Sequence, residues 1–183
     1  YRGLMSSGKI ANFASLIEYI SEIEEVKRIR FTTSHPNEMN DHLIDCFGNI
    51  KKLANHLHLP IQSGSDKVLM AMKRNYTTLE YKSIIKKLRK KLPNVSLTTD
   101  LIIGFPTETI NDFNLTKKLF IELDFDYSFS FIYSKRPGTP AAYLKDETTN
   151  EEKLERLHEI QSINITQGEH FTKKMIGTTQ RVL

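Results

Sequence analysis

The residues able to do chemistry gather in four short stretches: SHPNE (34–38), QSGS (62–65), GFPTET (104–109) and YSKRPGTP (133–140). They offer the hydroxyls of Ser34, Ser63, Ser65 and Ser134, the amide of Gln62 and the guanidinium of Arg136. Hydroxyls, an amide and one fixed cation hold a polar organic ligand, and the arginine suits a carboxylate or a phosphate. Gly64, Gly104 and Gly138 in the same stretches let a main chain approach a ligand closely. Ordinary turn chemistry accounts for part of this glycine and proline. Cys46 is the single cysteine, inside the helical pattern DHLIDCFGNI, and reads as a small buried hydrophobe. By itself it cannot hold an iron–sulfur cluster or a structural zinc. His58 reads as a satisfied interior histidine. No residue is assigned as a metal ligand or a catalytic group.

These stretches follow strand patterns. In HLHLPIQ (56–62), Leu57, Leu59 and Ile61 alternate with His56, His58 and Gln62, the period of a strand with two unlike faces. RIRFTTS puts Arg30, Thr32 and Ser34 opposite Ile29 and Phe31. VSLTTDLII puts Thr98 and Asp100 opposite Leu97, Thr99, Leu101 and Ile103. YSFSFIY puts Ser128 and Ser130 opposite Tyr127, Phe129, Phe131 and Tyr133, and the aromatic set is expected to pack under helices.

Helices must carry these strands. Apolar spacing predicts one over 12–25, one over 41–53 capped by Asn40, and a short one over 65–74 capped by Ser65. Thr77 with Glu80, Thr109 with Asp112 and Thr149 with Glu152 mark three further starts as capping boxes. Strands at 28–36, 56–62, 95–106 and 127–134 joined by helices make a βαβ rhythm, hence an α/β fold with a parallel sheet. Parallel strands buried on both faces read as unbroken apolar runs. Polar faces on every strand predict an open barrel with a wet, ligand-lined interior. The ligand would sit at the carboxyl ends of the strands.

The chain has 183 residues, 39% hydrophobic and 26% charged, with a formal net charge of +4, which describes a globular domain and permits a nucleic-acid partner without requiring one. The basic run KKLRKK (86–91) reads as the solvated face of an amphipathic helix. No apolar run reaches the roughly 20 residues of a membrane helix. One cysteine allows no internal disulfide and fits a reducing cytoplasm.

HLHLPIQSGSDKVLMAMKR, TTDLIIGFPTET and FIYSKRPGTPAA, in this order and with RIRFTTSHPNE upstream, resemble the MiaB-type radical-SAM tRNA methylthiotransferases. The resemblance covers essentially the whole chain. It implies a partial (β/α)6 radical-SAM barrel over 1–145, a connecting helix over 146–174, and the truncated start of an RNA-binding TRAM β-barrel over 175–183. It implies two 4Fe-4S clusters in the whole enzyme, one of which cleaves S-adenosylmethionine to a 5′-deoxyadenosyl radical. The product would be a 2-methylthio group on N6-(dimethylallyl)adenosine beside the tRNA anticodon, made with an external electron donor and sulfur source by a cytoplasmic monomer. Matching motifs place Gln62 and Ser63 against the ribose or methionine part of S-adenosylmethionine, and Ile103 and Gly104 beside its adenine. Ser34, Asp100 and Arg136 are further binding candidates. The cluster cysteines of the family are missing, so the chain reads as an internal or C-terminal piece, inactive alone. A threonylcarbamoyl-adenosine methylthiotransferase and a noncatalytic RNA-binding remnant are the rival readings. The relative acting on a ribosomal-protein aspartate typically shows QHAS where this chain has QSGS.

Overall fold

The computed structural model describes residues 3–4, 10–32 and 35–179. Helices start where the sequence supplies a side-chain acceptor for their first free N–H groups. Asn12 accepts from the Ser15 N–H to open α1 (Phe13–Glu22), and Asn40 accepts from Leu43 to open α2 (Asp41–Asn49). Ser65 caps the short α3 (Asp66–Ala71). All three expected capping boxes form, at the starts of α4 (Thr78–Lys91), α5 (Ile110–Leu123) and α6 (Asn150–Met175).

Ahead of α1, β1 (Gly3–Leu4) and β2 (Ile10–Ala11) pair antiparallel. The main sheet is parallel, in the order β3 (His56–His58), β4 (Ser96–Ile103), β5 (Tyr127–Ile132). Beyond β3 the chain returns to β4 through a bridge between Gln62 and Leu101. Among its described residues the expected strand over 28–36 keeps one parallel bridge, Ile29 with Leu53, closed by the Ile29 N–H to Lys52 and the Ala54 N–H to Ile29. Its side chains still divide as the alternation predicts. Ile29 is buried and Phe31 packs edge-on to Phe13, while Arg30 and Thr32 face outward.

One face of the sheet is sealed by helices. Leu57, Leu59, Ile61, Leu97, Leu101 and Ile103 are at most 1% exposed and meet Tyr81, Ile85, Phe113, Phe120 and Ile160 in one core. Each such side chain contributes about 1.5–3 kcal/mol on burial. Polar groups on this face are satisfied internally. The Thr99 hydroxyl donates to the Leu59 carbonyl and accepts from the Ile61 N–H.

The last strand is turned over relative to the expectation from its sequence. Register pairs Thr98 with Tyr127, Asp100 with Phe129 and Ile102 with Phe131, so the β5 aromatics share the open face with Asp100. They are 46–56% exposed. Ser128 faces α6 instead, where the Asn164 side chain accepts from its N–H and donates to its carbonyl. The helix over this strand presents an amide to the main chain, so a small serine fits beneath it and bulky rings do not.

Candidate functional site

The open face is a strip of polar and aromatic side chains. His56 Nε2 and His58 Nδ1 lie 3.2 and 3.0 Å from the Thr98 hydroxyl, and His58 Nε2 lies 3.4 Å from Asp100. Burial, with help from Arg30 and His58, holds the His56 pKa below its usual value, so its ring is neutral near pH 7. His56 Nδ1 is buried and finds no partner among the described residues.

At the carboxyl end of the strands this strip runs into a cavity of about 600 Å3 lined by Gln62, Arg74, Asp100, Ile102, Phe131, Tyr133 and Arg136, among others. A second cavity of about 530 Å3 adjoins it across Arg74, Ile102 and Tyr133 and is walled by Met72, Phe105 and Pro140. Gln62 enters with a left-handed backbone, φ 75°. That conformation costs a non-glycine residue about 1 kcal/mol. It is held by two hydrogen bonds to β4, from the Gln62 N–H to Asp100 and from the Ile102 N–H to Gln62. Among the described residues its side-chain amide makes no hydrogen bond. Lys73 is also left-handed, at φ 59°, and turns the chain so that Arg74 lines both cavities. Among the described residues, neither Arg74 nor Arg136 has a hydrogen-bond or ion-pair partner for its guanidinium. The Tyr133 hydroxyl is likewise buried without a partner there, its ring edge-on to Phe105 at 5.0 Å. Strained backbone and unspent polar groups around one opening are what a ligand site requires.

Among the sequence candidates, Gln62, Asp100 and Arg136 come together here. Ser63 does not line the cavity. It is fully buried, 3.2 Å from the Thr116 hydroxyl, and fastens its loop to α5. Gly64 belongs to that seam, since a Cβ there would lie 2.5 Å from the Thr116 Cα. Ser65 donates to Asp112, which also binds Thr109 and Lys67. Burial pushes the Asp112 pKa up, but the hydrogen bonds from Thr109, Ser65 and Lys67 outweigh it and bring the carboxyl to about 2.

Ile103 is buried on the helix side of β4, and its neighbour Ile102 faces the cavity. Gly104, at φ 68°, is where α6 comes close: a Cβ would stand 2.5 Å from the Lys153 side chain. Its N–H donates to Glu108, which forms a buried pair with Arg156 of α6 at 2.9 Å. Burial raises the Glu108 pKa against the opposing pull of Arg156. Ser34 lies outside the described residues. KKLRKK serves the surface, where Lys87 pairs with Asp41 and Lys91 with Asp45.

Arg74, Ile102 and Tyr133 escaped the sequence reading. Continuing the alternation from Thr98 and Asp100 points to Ile102. Nothing in periodicity points to Arg74, whose place depends on the left-handed turn before it.

The family pattern described as the Radical SAM superfamily matches residues 7–120. This chain belongs to that superfamily. All 183 residues align at 56% identity with a protein named tRNA-2-methylthio-N(6)-dimethylallyladenosine synthase from Methylobacillus flagellatus, and at 57% with one of the same name from Chromobacterium violaceum. The chain spans 41% of the length of each. Among solved structures, the radical SAM enzyme coproporphyrinogen III oxidase (HemN) from Escherichia coli is similar over 73% of this chain and 31% of its own, with TM-score 0.60 at 24% identity. That likeness concerns the radical SAM fold.

Proposed function

We propose that this chain is the cavity-bearing part of an enzyme that methylthiolates N6-(dimethylallyl)adenosine in tRNA by radical S-adenosylmethionine chemistry. The observation that carries the reading is identity of 51–57% across essentially the whole chain to relatives with that one name. The cavity supports it. S-adenosylmethionine has a carboxylate, a sulfonium, a ribose and an adenine. The unpaired guanidinium of Arg74 or Arg136 suits the carboxylate, the free amide of Gln62 suits hydroxyls or the amino group, and Ile102 beside Tyr133 suits a flat ring. Bound there, S-adenosylmethionine would supply the radical that activates the substrate carbon. The residues of this chain bind, orient and exclude water around it. Asp100 and His58 present a polar edge to whatever enters along the strip, and Phe129 and Phe131 a stacking surface.

With one cysteine, this chain does not itself hold a 4Fe-4S cluster. Both clusters of the proposed enzyme, the remaining barrel strands and a TRAM domain beginning near 175 would belong to a longer protein served by an external sulfur source and electron donor. That protein is proposed to work as a cytoplasmic monomer on tRNA. Among the described residues, no helix is long and apolar enough to cross a membrane.

The test is nucleoside mass spectrometry of tRNA from cells with and without the gene. Loss of the 2-methylthio mark on dimethylallyl-adenosine is expected. Loss of a mark on threonylcarbamoyl-adenosine in its place would move the substrate, and an unchanged profile would refute the assignment.

A further inference from the structure

Away from both cavities, Glu18 of α1 and His42 and Cys46 of α2 bring three different donor atoms within 4.8 Å of one another. We propose that they form a binding site for a zinc-like divalent transition metal that clasps α1 to α2. The spacing follows from helix geometry, since residues four apart share a face and His42 and Cys46 stand one turn apart on α2. Glu18 reaches them from α1, its carboxylate 2.8 Å from His42 Nε2.

The donor set is one carboxylate oxygen, one imidazole nitrogen and one thiolate sulfur. Zinc takes such a mixture, and bonds of about 2.0–2.3 Å place ligand atoms roughly 3.3–3.7 Å apart around a tetrahedron. The longest separation must therefore shrink by about 1 Å and the 2.8 Å between Glu18 and His42 widen by about half of that. Cys46 is 2% exposed and forms the floor, while the side chains of His42 and Glu18 are 42% and 50% exposed and form the rim. An ion arriving from solvent meets the rim first, and water completes its fourth position. Among the described residues the Cys46 thiol reaches another residue by one long contact, 4.0 Å, to the Ala14 carbonyl, so no strong bond between residues must break. On binding, the Cys46 S–H proton leaves to solvent and a sulfur–metal bond forms. The proton on His42 Nε2 moves to Nδ1, which ends the long 3.4 Å contact donated to that nitrogen by the Asn12 NH2, whose oxygen stays on the Ser15 N–H. Burial first, and then the charges of Glu18 and Asp45, push the Cys46 thiol up to about 11, so the metal–sulfur bond must outweigh the cost of removing that proton.

Because Cys46 is the single cysteine of the chain, any metal–thiolate signal is assigned without ambiguity. The experiment adds cobalt(II), then zinc, to the untagged chain under a non-thiol reductant and follows the near-ultraviolet thiolate-to-cobalt band. Circular dichroism checks that each variant is folded. Expected is one cobalt per chain, displaced by zinc, with the band abolished in Cys46→Ala and affinity weakened more than about tenfold in His42→Gln. The proposal falls if the folded chain takes up no cobalt, takes it up without a thiolate band, or binds it equally well in His42→Gln. None of these outcomes touches the reading of the cavity.

Discussion

The two faces of the β3–β4–β5 sheet are made from the same strands and differ in almost every physical respect. On the helix side the side chains are sealed and the strand polar groups have partners, as with Thr99 between Leu59 and Ile61, while among the described residues Glu108 Oε2 and Gln167 Oε1 stay buried without one under α6. On the open side, rings are half exposed, His56 Nδ1 and the Tyr133 hydroxyl are orphaned among the described residues, and Gln62 holds a left-handed backbone. The sealed face specifies the fold and the open face keeps interactions in reserve for a ligand. The contrast runs even through QSGS, where Gln62 turns to the cavity and Ser63, Gly64 and Ser65 lock the loop onto α5.

If the division is real, damage should sort by face. Leu101→Ala on the sealed side is expected to cost about 3 kcal/mol, read as a fall in the denaturant midpoint. Gly64→Ala should cost about 2 kcal/mol or more, because the new methyl meets the α5 main chain rather than a flexible side chain. Asp112→Asn should cost about 2 kcal/mol by weakening the Ser65, Thr109 and Lys67 bonds. The native Asp112 also fixes a pH dependence. Its folded pKa of about 2 lies below the ordinary 3.8, so its stabilisation is complete above about pH 4 and drains away as pH falls toward 2. A urea series in that window shows it, and the slope should be shallower in Asp112→Asn, with Glu80 and Glu152, whose pKa values their capping-box bonds also lower, supplying part of what remains. On the open side, Arg74→Ala and Phe131→Ser should leave stability within about 0.5 kcal/mol. In the proposed full-length enzyme, Arg74→Ala should weaken binding of S-adenosylmethionine, the proposed ligand, at least tenfold, measured by calorimetry. An open-face variant that unfolded the protein would show that the strip is core and not site.

Much of the sealed side was legible because it obeys local rules. Capping boxes announced three helix starts, and Leu–x–Leu alternation assigned the faces of β3 and β4. β5 was misread because alternation tells two faces apart without saying which one meets helices, and greasiness is a poor guide where the helix above offers Asn164. At 28–36 the alternation is genuine, while among the described residues its pairing is the one bridge at Ile29. Of the residues lining the candidate cavity, polarity and loop position had pointed to Gln62, Asp100 and Arg136. Arg74 depends on the positive φ of Lys73, which no side-chain pattern encodes.

The contact of Asn164 with Ser128 has a consequence beyond holding α6 in place. Among the described residues β5 is the outer strand of the sheet, and its free side presents main-chain donors and acceptors to any passing chain. Asn164 occupies both groups of Ser128, imitating one rung of a neighbouring strand. α6 thus works as a guard against self-association. A variant such as Asn164→Leu would keep the fold's apolar content and still uncover a template for cross-chain pairing, so its signature would be concentration-dependent aggregation rather than lost chemistry.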